Sequence, residues 1–212
     1  MTLEEYIAQH IDPEGDVLSK INRDTHVRTY NPRMLSGHTQ GRLLSMLSKM
    51  IQPHRILELG TFTGYSALCL AEGLREDGEL HTVESNDEME DFIRHNLSLS
   101  PLGKKITLHI QDALQYIDTT NEMYDLIFID ADKRQYKAYY EKLIDRLNPN
   151  GYMIADNTLW DGKVLTQPQA NDYQTIGIKE FNDYVAQDDR IEKIILPLRD
   201  GMTIIRKKRI TE

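Results

Sequence analysis

The sequence predicts an α/β fold, a largely parallel sheet with helices packed on it, and three observations predict it. Short apolar runs such as Ile56-Leu-Glu-Leu59 and Tyr124-Asp-Leu-Ile-Phe-Ile129 have the length and content of strands, the second of the kind buried on both faces of a parallel sheet. Strands alternate with stretches of helical periodicity, which requires right-handed crossovers and gathers ligands at the C-terminal edge of the sheet. Two final β-rich runs, residues 191–196 and 202–205, are joined by Arg199-Asp-Gly201 and read as a closing antiparallel hairpin.

The elements follow in order. Residues 3–27 read as polar helix interrupted at Asp12-Pro13, with a second helical piece at 17–22, an N-terminal extension of the kind that covers a site or makes a subunit contact. Met34 to Gly41 reads as a glycine-bearing loop that feeds an amphipathic helix, Arg42 to Ile51, closed before Pro53. After the first strand, Gly60 and Gly64 bracket a turn where backbone approaches a ligand or takes positive φ. The helix from Tyr65 to about Arg75 then presents its first free N–H groups above the strand end. Strand, glycine turn and helix form the start of a nucleotide-binding βαβ unit, and a second strand, Glu79 to Glu84, ends in an acid placed to hold a ribose diol.

Residues 86–100 read as a helix capped by Ser85 or Asn86, followed by a strand of strict alternation, Ile106 to Ile110. Asp112 then stands at a strand end, suited either to an adenine amine or to capping the helix that opens at Ala113. The buried run 124–129 ends in Asp130-Ala-Asp132-Lys133, and charge at the end of such a strand needs a reason. A helix from about Gln135 to Leu147 carries Tyr136, Tyr139 and Tyr140 and is broken by Asn148-Pro-Asn-Gly151. A strand at 152–155 leads to Asp156-Asn157-Thr-Leu-Trp160, and a helix at about 173–185 precedes the hairpin.

With 212 residues the chain is long enough for one full core and too short for two, so 1–212 reads as a single domain. No apolar stretch approaches bilayer length and the acidic N-terminus lacks the order of a signal peptide, which predicts a cytoplasmic protein without a membrane partner. Cys69, the sole cysteine, reads as a packing residue. A net charge of −9 disfavours nucleic acid, and the basic cluster Arg206-Lys-Lys-Arg209 reads as a solvated strand end.

Gly60-x-x-x-Gly64 lacks the G-x-G-x-x-G pattern that seats a pyrophosphate, which argues against a nicotinamide or flavin cofactor. Glu58 before the first glycine would repel a pyrophosphate but suits an ammonium group or a ribose. S-adenosylmethionine (SAM) carries both and no phosphate. Asp130, Asp156 and Asn157 offer oxygen ligands from two strand ends, a donor set best matched to Mg²⁺, whereas no zinc spacing of Cys or His occurs. Their alternative use is capping turns and helices.

Five motifs stand in order: Glu58-Leu-Gly-Thr-Phe-Thr-Gly-Tyr-Ser66, Phe128-Ile-Asp-Ala-Asp-Lys133, Ala155-Asp-Asn-Thr-Leu-Trp-Asp-Gly162, Asp189-Arg-Ile191 and Leu196-Pro-Leu-Arg-Asp-Gly201. In them the chain resembles the cation-dependent O-methyltransferases, the caffeoyl-CoA O-methyltransferase family and, more distantly, catechol O-methyltransferase. The resemblance implies a class I SAM-dependent fold with a seven-stranded, Rossmann-like sheet, its last hairpin reversing one strand, and a homodimer. It assigns the metal to Asp130, Asp156 and Asn157, and the cofactor to Glu58, Gly60, Ser66, Glu84, Ala113 and Asp132, with Ser36 in place of a threonine that touches cofactor or metal. Met34, Thr61, Gly64, Asp112 and Asp130 complete the cofactor set around these. Lys133, beside Asp130, matches the lysine that takes the proton of the acceptor hydroxyl, and a neighbouring cation would favour its neutral form.

Trp160 reads either as an aromatic wall for a planar acceptor or as plain packing at a loop, and the resemblance implies a substrate contact at Asp161. Asp161 replaces the asparagine of plant members, and residues 166–172 lack their CoA-reading pattern, so a free hydroxylated aromatic with vicinal hydroxyls is expected rather than a CoA thioester. Three other readings stay open: a methyltransferase of hydroxyuridine in transfer RNA, a non-catalytic SAM-binding protein, and a nicotinamide oxidoreductase.

Overall fold

A computed structural model describes residues 1–209, apart from the side chain of Glu4. Eight helices and seven strands run α1 (Leu3–His10), α2 (Asp16–Arg28), α3 (Gly37–Ile51), β1 (Arg55–Leu59), α4 (Tyr65–Ala71), β2 (Glu79–Glu84), α5 (Glu90–Ser98), β3 (Ile106–Ile110), α6 (Ala113–Thr119), β4 (Tyr124–Ile129), α7 (Tyr136–Leu143), β5 (Leu147–Asp156), α8 (Tyr173–Ala186), β6 (Ile191–Leu196) and β7 (Met202–Lys207) among the described residues. The sheet order is β3-β2-β1-β4-β5-β7-β6. Neighbours pair in parallel from β3 to β5, and β7 runs antiparallel to both β5 and β6. This is the sheet expected of a class I SAM-dependent methyltransferase, with the hairpin where the sequence predicts it.

Alternation divides the central strands between two cores. Leu57, Leu59, Ile127, Ile129, Met153 and Ala155 face α6, α7 and α8, where they meet Tyr136, Tyr140 and Phe181. Ile56, Leu126, Phe128 and Ile154 face the other layer, with Leu44, Leu68 and Ile93. β4 is therefore apolar at nearly every position because both faces are covered.

Several boundaries differ from expectation, each for a packing reason. Residues 37–41 belong to α3 rather than to a loop. Gly41 is a contact residue there, since a Cβ would stand 2.7 Å from the Tyr65 ring and 2.9 Å from the Cys69 sulfur. α4 stops at Ala71, short of Arg75, because Gly73 must lie against the backbone of Ser48, 2.1 Å from where a Cβ would sit. α2 extends to Arg28, helped by Thr25, which is buried and bonds the Ile21 carbonyl at 2.7 Å and the Thr63 hydroxyl at 3.1 Å. The predicted helix at 86–100 opens as a 3-10 turn, Asp87–Met89, capped by Asn86, before α5.

Asn148-Pro-Asn-Gly151 does not lie between helix and strand but inside β5, which begins at Leu147 opposite Tyr124. The register slips between Tyr124 and Leu126, and the slip absorbs the proline and the left-handed Asn150, φ 64°. The basic cluster is more engaged than a solvated strand end. Arg206 bonds Glu192 at 2.8 Å, Lys207 donates to the carbonyls of Ile144 and Leu147 at 2.7 Å, and Lys208 to that of Asp189 at 3.0 Å. Cys69 is buried, and burial pushes its thiol up to about 12, which fits a packing role. No helix among the described residues is long and apolar enough to cross a membrane.

Gly60 ends β1 at φ 92°, and a Cβ there would lie 2.1 Å from the carbonyl oxygen of Asp130. Gly60→Ala is expected to cost about 2 kcal/mol or more, a fall in Tm of roughly 4–8 °C for a domain of this size. A thermal melt of the variant that matched the unsubstituted protein would contradict this account of the turn.

Candidate active site

The C-terminal edge of β1, β2, β4 and β5 opens into a cleft of about 820 Å³. Its floor is built on Glu58, which is fully buried on β1. Ser66 donates to one carboxyl oxygen at 2.6 Å and Thr82 to the other at 2.5 Å, while Thr61 and Thr82 hydroxyls meet at 2.5 Å. Burial, and then the neighbouring Asp130 and Glu84, outweigh these bonds and push the carboxyl up to about 8. Glu58 thus braces the glycine turn from below and does not line the cleft, and Gly64, packed under Leu97, is likewise behind the wall.

One side of the cleft is formed by Gly60, Thr61 and Ser66 from the turn and α4, by Glu84 at the end of β2, and by Asp112 and Ala113 at the start of α6, the residues expected to hold a cofactor. The carboxylate of Glu84 accepts from the backbone N–H of Phe62 at 2.8 Å and of Asn86 at 2.9 Å, and retains lone pairs for a ligand. Asp112 takes the capping role, accepting from Gln115 N at 3.1 Å at the start of α6, and it also lines the cleft. Asp132 accepts from the backbone and guanidinium of Arg134, and that pairing holds its carboxyl below the usual range. Met34 and Ser36 close the cleft from the segment between α2 and α3.

The opposite wall carries Asp130, Lys133, Asp156, Asn157 and Trp160. Lys133 lies in a 3-10 turn, Lys133–Gln135, and is only 8% exposed, because α8 closes on it with Gly177 against its carbonyl. Its ammonium stands 2.7 Å from Asp130 Oδ1 and 2.6 Å from the Tyr136 hydroxyl. Tyr136 passes its own proton toward the carbonyls of Asp156 at 3.1 Å and Ile129 at 3.2 Å. Asp156 is 3% exposed, accepting from Asn157 N at 2.8 Å and from Gln40 Nε2 at 2.6 Å. Burial and then the charge of Asp130 raise its pKa.

Asn157, Trp160 and Asp161 all adopt positive φ, at 58°, 48° and 54°. The turn between β6 and β7 holds that loop in shape: Gly201 O accepts from Thr158 N at 3.0 Å, Asp200 O from Leu159 N at 2.8 Å, and Asp200 Oδ1 from Asp161 N at 2.7 Å. Asp161 itself does not line the cleft.

Among the site residues that the sequence does not single out are Tyr136, Gln40 and Arg199. Tyr136 lies three positions after Lys133, so their shared face was available from spacing alone. Gln40 and Arg199 gave no such sign, because their partners are 116 and 159 to 166 residues away.

The residues present fit both groups inferred for them. Two carboxylates gathered against each other's charge, with one amide beside them, are an all-oxygen donor set that a hard divalent cation would neutralise. No three His, Cys, Asp or Glu side chains form a metal cluster among the described residues, so any such site depends on Asn157 and on water or substrate to complete it. An acid-lined wall with a free carboxylate edge suits a cationic, ribose-bearing ligand.

A family described as O-methyltransferase matches residues 8–208. Caffeoyl-CoA O-methyltransferase 2 of Petunia hybrida is 36% identical over 185 residues, covering 82% of this chain and 76% of its own. Catechol O-methyltransferase domain-containing protein 1 of Mus musculus is 36% identical over 170 residues, covering 78% of this chain and 64% of its own. The O-methyltransferase from Bacillus cereus, solved in complex with SAH, superposes with a TM-score of 0.90 at 27% identity, over 97% of each chain. An O-methyltransferase of tomaymycin synthesis from Streptomyces achromogenes, in complex with SAM, gives 0.89 at 26% identity over 99% of this chain and 100% of its own.

The raised carboxyl of Glu58 makes stability depend on pH with a defined sign. Its ordinary value is 4.5 and its folded value about 8, so its contribution is complete below pH 4.5 and is lost as pH rises through 8. Glu58→Gln, which cannot ionise, is expected to lose less stability than the unsubstituted protein between pH 5.5 and 8.5. Parallel urea-unfolding curves for the two across that range would show that Glu58 is not protonated in the fold.

Proposed function

We propose that this chain, which belongs to the O-methyltransferase family, methylates one hydroxyl of a vicinal pair on an aromatic ring, using a divalent cation and Lys133 as base. It is a SAM-dependent methyltransferase by its family and by neighbours solved with SAM and SAH. The catechol-type acceptor draws support from relatives whose names carry caffeoyl-CoA and catechol. A net charge of −9 and a basic cluster engaged in intramolecular contacts favour a small molecule over transfer RNA.

The observation that carries the reading is the setting of Lys133, buried in the cleft between one carboxylate and one hydroxyl. A neutral amine can keep two N–H bonds, to Asp130 and to Tyr136, while its lone pair takes the third direction and receives the acceptor's proton. When bound, SAM supplies a methyl group on a sulfonium, and a divalent cation supplies the charge that favours the acceptor's oxyanion. Asp130, Asp156 and Asn157 would hold the cation, Glu84 the ribose hydroxyls and Asp112 the adenine amine. The methyl group so supplied would pass to the acceptor oxygen, with the sulfonium leaving as a neutral thioether, and Lys133 Nζ would take the hydroxyl proton. Trp160 would flank the ring, so that orientation of the reacting atoms supplies much of the rate. The proposal includes a homodimer, which rests on family resemblance and which sedimentation would test, and a cytoplasmic setting, which rests on the sequence pattern alone.

The test is methyl transfer from labelled SAM to caffeic acid with Mg²⁺. EDTA, Lys133→Ala and Asp156→Ala are each expected to lower turnover by roughly a hundredfold or more, with SAH binding retained in the lysine variant. Equal methylation of a single-hydroxyl acceptor with EDTA present would sink the reading.

A further inference from the structure

Arg199 has no part in the chemistry described above, yet its side chain joins the two sides of the cleft. It sits in the turn between β6 and β7 with φ 49°, a conformation that residues bearing a side chain rarely adopt. From there its guanidinium donates to the carbonyls of Leu35 at 2.9 Å, Arg33 at 3.2 Å and Ser36, and to Gln40 Oε1 at 3.2 Å. All of these acceptors are carbonyl or amide oxygens on the segment between α2 and α3 and on the first turn of α3. The same turn holds the loop of Asn157 and Trp160 through the backbone of Asp200 and Gly201.

Guanidinium only donates, so the oxygen of the Gln40 amide must face Arg199 and the nitrogen must face away from it. That leaves Nε2 at 2.6 Å from Asp156 Oδ2. Asp156 and Arg199 hold the amide from its two ends, and without Arg199 the buried Oε1 loses this donor and the side chain is fixed at the Asp156 end alone. The segment that Arg199 holds is the one whose Arg33, Met34, Leu35 and Ser36 line the cleft.

We propose that Arg199 is a positioning residue for methyl transfer, pinning residues 33–36 over the donor side of the cleft and fixing the Gln40 amide as a donor to Asp156. The first half rests on the cleft alone, and the second rests on the role proposed for Asp156 as a cation ligand.

The experiment uses the full chain with Arg199→Ala, Arg199→Lys and Gln40→Met, and Arg190→Ala as a control, since Arg190 pairs with Asp188 at 2.7 Å away from the cleft. SAH affinity by calorimetry and amide hydrogen exchange over residues 31–37 are measured beside Tm. Arg199→Ala is expected to weaken SAH binding roughly tenfold and to speed exchange in that segment, with partial rescue by Arg199→Lys, whose single ammonium cannot span the same acceptors. Arg190→Ala is expected to lower Tm while SAH affinity stays within about twofold. If Arg199→Ala does not fold, Arg199→Lys carries the donor-side test.

Binding of Mn²⁺ alone, followed by its electron paramagnetic resonance signal, reads the second half. Arg199→Ala and Gln40→Met are each expected to weaken it, and the double variant to weaken it no further than the stronger single, as for residues acting in series. Unchanged SAH affinity and exchange in both Arg199 variants would overturn the proposal. If the unsubstituted protein binds no Mn²⁺, the cation reading fails and takes the Asp156 half with it, while the SAH and exchange results still decide the role of Arg199 over residues 33–36.

Discussion

The close approach of β1 to β4 at Gly60 and Asp130 is the constraint on which the site depends. A side chain at position 60 would overlap the Asp130 carbonyl, and the Asp130 amide closes on Leu59 O at 2.8 Å. The bare backbone lets the glycine turn and the acidic end of β4 share one rim, so donor and acceptor walls meet instead of standing a residue's width apart. Beneath that junction Glu58 joins β1 to β2 through Thr82 and to α4 through Ser66. Burial raises the pKa of this carboxyl, and the hydroxyls of Ser66 and Thr82 offset part of the cost of placing it at this depth.

The acceptor wall is organised differently, by strain that its surroundings over-determine. Three residues with side chains take left-handed backbone between positions 157 and 161, and the turn between β6 and β7 supplies the hydrogen bonds that hold them there. Three of the cations lining the cleft are tethered too: Lys133 to Asp130, Arg134 to Asp132, Arg199 to a row of carbonyls. Little polar rearrangement remains for a ligand to bring about, which is the condition for catalysis by preorganised electrostatics.

Much of this was legible in the chain. The β4 run, the glycine turn after β1 and the terminal hairpin each follow from local pattern, and strand ends in an α/β sheet place Glu84, Asp112, Asp130 and Asp156 on one edge without further information. What stayed hidden was set by tertiary contact. Gly41 looks like a loop residue until Tyr65 and Cys69 are seen to need its space, and Asn148-Pro-Asn-Gly151 looks like a break until the register slip admits it to β5. Glu58 suits an ammonium or ribose ligand by its charge beside the glycine turn, but its side chain is buried and bonded to Ser66 and Thr82. Gln40 and Arg199 depend on partners far away in the chain, and no local pattern announces such a pair.

The pairing of the last strand between β5 and β6 separates the two halves of the cleft along the chain. Most of one wall is drawn from residues 60–113, with residues 33–36 closing over the cleft, and the wall that faces it from residues 130–160, braced by a turn at 197–201. Away from the Gly60–Asp130 junction and the Arg199 contacts, substitutions in one stretch do not enter the other. In a lineage of descendants, the identity of the accepted molecule can drift through the later stretch while the methyl source stays constant, so that new specificities arise by inheritance of half a site.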